Sequence, residues 1–551
     1  MVENAASIGI DVGSGSVRAA VFDHAGNRRA DVVQPIRQFN PRGDFYEQSS
    51  TNIWQQTCTA VRQAIAECGL PREAIRGIGF DATCSLVAVG AGGQPVSVAE
   101  SGDRAHNIIM WMDHRAVAEA AEINATNDAA LAYVGGEVSV EMELPKLLWL
   151  RRHFPDRYAA TWRFLDLADY MVWRASGADV ASVCTLTCKW NYLAHERRFS
   201  DSLLSAIGIA DVLGKIPADI RQLGSAAGVL SEHSAAELGL PPGIAVATGI
   251  IDAHAGGLAL LGAEPEGGLA IISGTSCCHL VNSRTPVMVP GVWGPYFGAM
   301  LPGWWLNEGG QSAAGSLIDW TLRQCDAWPA LEAAAAASRR SVYEVANQWV
   351  AELRVREPEP ARHLHVLADH HGNRSPRADP ASRGIMAGLS LEHGPDALAR
   401  RYLATVQALA YGTRHIVESL NAAGHRIQRV VMCGGGARNP LLLREHADAL
   451  GCDLHLVSEG EAVALGAAVL AATASGAFPD LQQAAAAMVQ PGGIVHADPV
   501  QRAFHEVKYS VYLALYDDWC HYESVMAGEG RPSTSVLGGT QERRGYRPSP
   551  A

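Results

Sequence analysis

Two glycine-rich hairpins of the same design, about 260 residues apart, constrain the fold of this chain most strongly. The first runs from Ile8 to Asp23 and the second from Leu269 to Val281, and each has an apolar strand, a tight polar turn and a second apolar strand. This pattern predicts antiparallel β-hairpins. Because glycine has no Cβ, successive backbone N–H groups in such turns can converge on an anion. Two equivalent turns predict a duplicated fold that binds a polyphosphate from both sides, through Gly13, Ser14, Gly15, Ser16, Gly274, Thr275 and Ser276.

The length of the chain, 551 residues, exceeds what one hydrophobic core usually supports. We therefore predict an N-terminal domain over residues 1–260 and a C-terminal domain over 261–525, with the boundary between Gly257 and Gly268. Residues 526–551 have few apolar side chains, and we predict a disordered tail there.

Charge and cysteine content exclude several classes of protein. The 44 basic and 57 acidic residues give a net charge of −13 without a basic run, so we expect no nucleic-acid or membrane partner. Eleven cysteines without a C-x-x-C motif are typical of reduced thiols in a cytoplasmic protein, and the start of the chain predicts no signal peptide. The uncharged stretch from Ala462 to Phe478 predicts a buried helix of small residues. The sequence leaves the oligomeric state open, with a homodimer under consideration.

Strand and helix patterns alternate in both halves, which predicts α/β layers with a mixed sheet in each. In the first half we predict strands at 7–12, 17–23, 28–34, 75–80 and 86–90, and helices near 51–68, 115–128, 141–153 and 166–175. In the second half we predict helices at 312–325, 395–423 and 440–450, and strands at 429–433 and 453–457.

Two aspartates lie where apolar strands end. Asp11 precedes the first glycine turn, where a divalent cation such as Mg²⁺ could join its carboxylate to a phosphate. The simpler structural role is a turn in which the Asp11 side chain accepts from its own backbone. Asp252 ends the strand before Ala253 and Gly256, where it could accept a proton from a substrate hydroxyl or cap a helix.

A run of three glycines, Gly434, Gly435 and Gly436, directly follows a predicted strand. A turn without side chains lets a flat heterocycle or a ribose lie on the backbone, although close packing would also explain it. Asn439 either caps the helix that begins at Pro440 or donates a hydrogen bond to a nucleotide.

Asp81, Lys189 and Glu308 each stand alone in an apolar stretch. Isolated charges are costly to bury unpaired, so we expect them to line a polar cleft. Carboxylates, an ammonium and indole rings suit a polyol, and Trp111 and Asp113 are candidates for the same cleft. The histidine-rich stretch 363–371 matches no recognised metal spacing and is interpreted as a loop near the cleft.

Together these motifs resemble the FGGY carbohydrate kinase family, over about residues 7–523. The resemblance implies two ribonuclease-H-like domains of the actin, hexokinase and Hsp70 type around an ATP and sugar cleft. It implies that Asp11 serves the Mg²⁺ and ATP phosphates, that Gly274–Ser276 bind phosphate and that Asp252 is the catalytic base and a second candidate Mg²⁺ ligand. It further implies that Gly434–Gly436 and Asn439 hold the nucleoside.

Three segments, 79–85, 188–190 and 371–376, are similar to the pentulose-kinase branch of that family. This implies ATP-dependent phosphorylation of a small sugar, D-ribulose first, with Lys189 and Glu308 binding it. L-ribulose, ribitol, xylulose and glycerol are alternative substrates. An Hsp70-like or actin-like ATPase and a non-catalytic pseudokinase are alternatives of other classes, disfavoured by the isolated charges and by the presence of both aspartates.

Overall fold

The computed structural model describes residues 5–527, so most of the predicted tail at 526–551 lies outside the described residues. Within the described residues, the first half of the chain contains fourteen strands and nine α-helices. The strands are β1 (Ala6–Val12), β2 (Ser16–Asp23), β3 (Arg28–Pro35), β4 (Gln38–Arg42), β5 (Phe45–Gln48), β6 (Ile75–Ala82), β7 (Leu86–Gly90), β8 (Ile108–Ile109), β9 (Thr161–Asp166), β10 (Val180–Ser182), β11 (Asp219–Arg221), β12 (Ala226–Val229), β13 (Ala245–Ala247) and β14 (Ile250–Ile251). The helices are α1 (Ser50–Glu67), α2 (Val117–Ala125), α3 (Glu143–His153), α4 (Pro155–Ala160), α5 (Leu167–Ser176), α6 (Val183–Lys189), α7 (Asp201–Ala206), α8 (Glu232–Leu238) and α9 (Asp252–Leu261).

The second half repeats the alternation of strands and helices. Its strands are β15 (Gly268–Ser273), β16 (Cys277–Ser283), β17 (Trp293–Phe297), β18 (Trp305–Gln311), β19 (His365–Leu367), β20 (Ile385–Ala387), β21 (Arg429–Cys433), β22 (Leu454–Val457) and β23 (Pro491–Val495). Its helices are α10 (Gly315–Arg323), α11 (Trp328–Ser338), α12 (Val342–Arg356), α13 (Pro395–Ala423), α14 (Pro440–Leu450), α15 (Ala462–Ala474), α16 (Leu481–Met488) and α17 (Arg502–Met526).

Each half is built on a seven-stranded mixed sheet of related topology. In the first, β1 pairs antiparallel with β2 and parallel with β6, in the order β12-β13-β6-β1-β2-β3, with β14 also paired to β6. In the second, β15 pairs antiparallel with β16 and parallel with β21, in the order β17-β18-β16-β15-β21-β22-β23. Both predicted hairpins therefore form, and each has a parallel strand beside its first strand. A separate five-stranded sheet, β4-β5-β8-β7-β9, was not predicted from the sequence.

The small-residue helix α15 belongs to the second half of the chain but packs on the sheet of the first half. Its residues from Ala464 to Ala472 are buried, as the sequence predicted. A Cβ on Gly79 of β6 would lie 2.0 Å from the carbonyl oxygen of Ala467, and a Cβ on Gly466 would lie 1.9 Å from that of Ala255 in α9. Backbones approach this closely only where side chains are absent. One hydrophobic core consequently continues through both halves.

No helix among residues 5–527 combines the length and the apolarity that crossing a membrane requires.

Candidate active site

The first hairpin turn is held in place by side chains from three directions. Gln38 and Gln48 donate to the carbonyl oxygen of Ser14 at 2.6 and 2.8 Å, and Trp111 Nε1 donates to its hydroxyl at 2.9 Å. Within residues 5–527 the backbone N–H groups of Ser14 and Gly15 have no protein acceptor. A Cβ on Gly13 or Gly15 would meet only atoms 3.6 Å or more away, so the fold itself leaves room around this turn.

The second hairpin turn lies against the start of α10. Ala314 and Ser316 donate their backbone N–H groups to the carbonyl oxygen of Thr275, which fixes the turn on the helix. The N–H groups of Thr275 and Ser276 have no acceptor in the described part of the chain. Free N–H groups on a turn form the kind of concavity that binds anions.

Two adjoining spaces open on these turns. The C-terminal cavity, of about 700 Å³, is lined by the second turn and by the three-glycine loop, including Gly274, Thr275, Gly435, Gly436, Arg438 and Asn439. The interdomain cleft, of about 630 Å³, has both turns in its lining, with Ser14, Trp111, Thr275, Ser276, Trp320 and Arg374. The predicted opposition of the two turns is thus present.

The three glycines after β21 have different surroundings. Gly434 has φ +87°, a conformation that favours glycine, and a Cβ on Gly436 would lie 2.2 Å from Ser273 Oγ. A Cβ on Gly435 would come no nearer than 3.9 Å to any atom. The first and third glycines are required by the fold, whereas Gly435 leaves its face open to the C-terminal cavity.

The side chain of Asn439 caps α14, because its Oδ1 accepts from the N–H groups of Leu441 and Leu442. It also accepts from Asn347 and donates to the hydroxyl of Tyr402. Of the two roles considered from the sequence, the structure supports the helix cap. Asn439 still lies in the wall of the C-terminal cavity.

Three carboxylates meet at the carboxyl ends of β1, β6 and β14. Asp11 pairs with Asp81 across the parallel strands, and Asp81 pairs with Ile250, two residues before Asp252. Burial and the neighbouring Asp252 raise the pKa of Asp11 to about 7. Burial and the two other aspartates raise the pKa of Asp81 well above its usual range, and neither of its oxygens has a protein donor within residues 5–527. A bound cation would relieve this accumulation of negative charge.

Asp252 is the first residue of α9, and its carboxylate accepts from the N–H of Ala253 at 2.7 Å. The residue at the N-cap position is Ile251, so the predicted alternative of a helix cap for Asp252 is wrong. Burial raises the pKa of Asp252, with Glu308 adding to the increase and Lys189 opposing it. The carboxylate is therefore a neighbour of both the aspartate cluster and the Lys189–Glu308 pair.

Lys189 and Glu308 are 2% and 4% exposed and stabilise each other's charged form. Burial alone would raise the pKa of Glu308, but Lys189 and His254 lower it to about 2. Burial opposes protonation of Lys189, yet neighbouring acidic groups that include Glu308 raise its pKa overall. The ammonium lies 4.3 Å from the ring centre of Trp293, a cation–π contact. The structure brings these two predicted residues together.

Arg374 was not identified from the sequence as a candidate site residue. It is 8% exposed in its side chain, contacts both oxygens of Glu141 at 3.3 Å and lies 5.2 Å from the ring centre of Trp293. The contact crosses the cleft, because Glu141 belongs to the first half of the chain and Arg374 to the second. His370 and His371 line the same cleft, as predicted for the histidine-rich stretch.

The two remaining candidates have structural partners. Trp111 lines the cleft but donates to Ser14, so it supports the first turn. Asp113 is fully buried and accepts from Arg115 and from the N–H of Tyr46, with Glu47 as the second partner of Arg115. The prediction that Asp113 lines the sugar cleft is corrected accordingly: its charge is balanced inside the core.

Solved sugar kinases have this fold. A xylulose kinase from Rhodospirillum rubrum superposes with a TM-score of 0.76 at 24% identity, over 94% of this chain and 99% of that one. Plasmodium falciparum glycerol kinase with ADP superposes with a TM-score of 0.75 at 16% identity, over 93% of this chain and 98% of that one. The architecture is therefore that of the two-domain, actin-like and hexokinase-like sugar kinases.

The family follows from the sequence comparisons. Residues 6–259 match the N-terminal domain, and residues 269–475 the C-terminal domain, of the FGGY family of carbohydrate kinases. This chain belongs to that family and is a sugar kinase. A human FGGY carbohydrate kinase domain-containing protein is 43% identical over 94% of this chain and 97% of its own length. D-ribulokinase from Saccharomyces cerevisiae is 36% identical over 86% of this chain and 72% of its own length. Ribulokinase from Mycolicibacterium smegmatis is also 36% identical, over 83% of this chain and 82% of its own length.

Proposed function

We propose that this chain transfers the γ-phosphoryl group of ATP to a pentulose, with D-ribulose the preferred substrate and D-ribulose 5-phosphate the product. The observation that carries the proposal is the buried Lys189–Glu308 pair beside Trp293, which lies close enough to Asp252 to shift its pKa. An ammonium donor, a carboxylate acceptor and an indole face suit a short polyhydroxylated ketose. The relatives named D-ribulokinase and ribulokinase support the same substrate class.

Asp252 serves as the general base in this proposal. The sugar hydroxyl gives its proton to the carboxylate while its oxygen forms a bond to the γ-phosphorus, and the bond from that phosphorus to the β,γ-bridging oxygen breaks to release ADP. Burial raises the pKa of Asp252, which makes the carboxylate a stronger base than a solvated aspartate. In this proposal the N–H groups of Ser14, Gly15, Thr275 and Ser276, which have no acceptor in the described part of the chain, would donate to phosphate oxygens.

Mg²⁺ fits the carboxylates at the strand ends. Asp11 and Asp252 would hold the ion, directly or through water. Beside them, the two buried oxygens of Asp81 have no hydrogen-bond donor among the described residues. The positive charge of the ion would offset the electrostatic repulsion between these carboxylates and the phosphates of ATP. Gly435 and the surrounding wall of the C-terminal cavity would receive the nucleoside.

The deciding experiment measures ADP release with D-ribulose, other pentuloses, ribitol and glycerol as acceptors. We expect the highest kcat/KM with D-ribulose, other pentuloses or ribitol next, and poor activity with glycerol and aldohexoses. A site that hydrogen-bonds substrate hydroxyls rejects analogues without them strongly. Equal kcat/KM values for glycerol and D-ribulose would refute the substrate and leave the kinase activity standing. Asp252→Asn protein, purified in parallel, reports any contaminating kinase.

A further inference from the structure

A row of buried polar groups runs from α6 through α9 to Glu308 in β18. Cys184 Sγ lies 3.2 Å from His254 Nδ1, and His254 Nε2 lies 3.1 Å from Glu308 Oε2. Cys184 and His254 are fully buried and Glu308 is nearly so. Cys188 Sγ lies 3.8 Å from the same His254 nitrogen. Three elements, α6, α9 and β18, are thereby joined through one imidazole ring.

The spacing of the residues explains how the row forms. Cys184 and Cys188 are four residues apart on α6, so both thiols face the same side of the helix. His254 lies in the first turn of α9, two residues after Asp252. Glu308 lies in the middle of β18, where it pairs with Trp293 of β17. The ring thus connects the strand that carries a proposed sugar ligand to the helix that carries the proposed base.

Within residues 5–527, His254 is the one hydrogen-bond donor found for the Glu308 carboxylate. Lys189 balances the charge of Glu308 without a hydrogen bond between them in the described part of the chain. A carboxylate with three rotatable bonds and one fixed oxygen depends on that donor for its orientation. The orientation of the ring in turn depends on its other nitrogen, which faces Cys184.

The hydrogen-bond geometry assigns the roles within the row. An ionised carboxylate can only accept, so His254 Nε2 is the donor to Glu308 Oε2 at 3.1 Å. The other ring nitrogen faces Cys184 Sγ at 3.2 Å. Because one carboxylate oxygen of Glu308 is held by His254, the other can accept from a sugar hydroxyl.

We propose that Cys184 and His254 are positioning residues that hold the Glu308 carboxylate in the orientation that accepts the sugar. The inference rests on the proposed pentulose kinase function. Neither residue needs to touch the sugar, because both act through the Glu308 side chain. Loss of the Cys184–His254 contact therefore weakens sugar recognition and leaves ATP binding unchanged.

The test compares initial rates of Cys184→Ala and Cys184→Ser with those of the unmodified enzyme, varying D-ribulose and ATP separately. We expect Cys184→Ala to raise the KM for D-ribulose about tenfold, the size of one hydrogen bond to a charged group. The KM for ATP should stay within about twofold. Cys184→Ser retains a donor and acceptor beside His254 and should recover most of the sugar affinity. Cys58→Ala, a buried thiol on α1, is the matched control and should change neither KM.

Three further measurements make each outcome decisive. His254→Asn should raise the KM for D-ribulose at least as much as Cys184→Ala does. If the His254→Asn protein does not fold, the kinetics of Cys184→Ala and Cys184→Ser alone test the positioning role. An unchanged sugar KM in Cys184→Ala, while Glu308→Gln raises it, would overturn the positioning role alone. An unchanged sugar KM in Glu308→Gln would instead refute the proposed sugar site. The sulfur atoms of Cys184 and Cys188 and a ring nitrogen of His254 lie within 4.8 Å of one another, a spacing that could bind zinc. Stoichiometric zinc in the purified protein would therefore also overturn the inference, because His254 Nδ1 would then bind the metal.

Discussion

Asp252 begins α9 where the aspartate cluster meets the Lys189–Glu308 pair, so its replacement should act on the chemical step. We expect Asp252→Asn to lower kcat about 10²–10⁴-fold, the usual contribution of a general base, while both substrates still bind. Steady-state kinetics and calorimetric ATP titration measure the two effects. Retention of more than about a tenth of kcat would argue against the role. Asp113→Asn is a useful comparison, because it should lower the melting temperature through its partner Arg115 and leave kcat of the folded protein intact.

Lys189 is the residue whose replacement should separate sugar binding from ATP binding. Lys189→Met keeps much of the side-chain length but removes the donor and leaves Glu308 without its main positive neighbour. We expect a higher KM for the sugar and a nearly unchanged KM for ATP. Lys508→Met is the control, because that buried ammonium donates to the backbone carbonyl groups of Ala361 and Leu364 and should affect stability alone. An unchanged sugar KM in Lys189→Met would refute the site.

Sequence analysis placed best those residues whose position follows from a local pattern. Asp11 lies at the end of the apolar strand β1 and Asp252 directly after β14, as predicted, whereas their proximity to Asp81 was not predicted. Arg374 could not be found in this way, because its partner Glu141 is 233 residues away in the chain. Asp113 illustrates the opposite error: a charged residue near tryptophan was taken for a ligand, but its charge is balanced by Arg115, which also pairs with Glu47.

At the scale of secondary structure, the local pattern predicted the longest helix of the described residues best. The helix predicted at 395–423 is α13 with the same bounds, since Pro395 and Gly424 limit a strongly periodic segment. Helices α11, α12 and α17 and the five-stranded sheet were not predicted. The alanine-rich α11 lacks a marked apolar face, and the sheet depends on the pairing of β7 with β9, which is distant from it in sequence.

The three-glycine loop provides a test at this scale. Gly435→Val should leave the melting temperature nearly unchanged, because the position is open, and should weaken ATP binding by intruding into the C-terminal cavity. Gly436→Val should instead destabilise the protein, because its side chain would collide with Ser273. Calorimetry with ATP and thermal unfolding distinguish these outcomes. Normal ATP affinity in Gly435→Val would mean that the loop is only structural.

Gly274 of the second hairpin turn also has room for a Cβ, which would lie 3.7 Å from the carbonyl oxygen of Ser276. Gly274→Val should therefore behave like Gly435→Val in both measurements.

The packing of α15 on β6 predicts a large effect from one methyl group. Gly79→Ala would place a Cβ 2.0 Å from a backbone oxygen of α15, and neither backbone can move without disturbing its sheet or helix. We expect a loss of about 1–3 kcal/mol or more in the free energy of unfolding. Denaturant unfolding measures it. Gly214→Ala should be neutral, because in the described part of the chain its Cβ would meet no atom within 4 Å beyond its own chain neighbours. Equal stability of the two variants would contradict the close contact at Gly79.

For the whole molecule, buried neutral histidines make stability depend on pH. Burial lowers the pKa of His279 to about 3, and its Nε2 lies 3.0 Å from Thr413 Oγ1. Below pH 6.5 the unfolded chain binds a proton at His279 and the folded chain does not. The free energy of unfolding therefore decreases as the pH falls from 6.5 toward 3. For this one group the decrease is about 1.4 kcal/mol per pH unit.

The comparison of wild-type protein with His279→Gln isolates this effect from the carboxylates that titrate in the same range. The stability difference between the two proteins should shrink as the pH is lowered from 7 to 5, measured by urea unfolding at each pH. A difference that stays constant over this range would show that His279 is not held neutral.

Helix α15 also determines how this protein can be divided. It follows the second hairpin and the three-glycine loop in the chain, yet it covers the glycine face of the first sheet at Gly9, Gly77 and Gly79. A fragment that ends at residue 260 would therefore leave that face bare, with backbone grooves that fit no side chain. Chimeras between members of this family face the same restriction: a crossover placed between the two halves separates a helix from the surface that was shaped around it. Such hybrids should fold only when the first sheet and α15 come from the same parent.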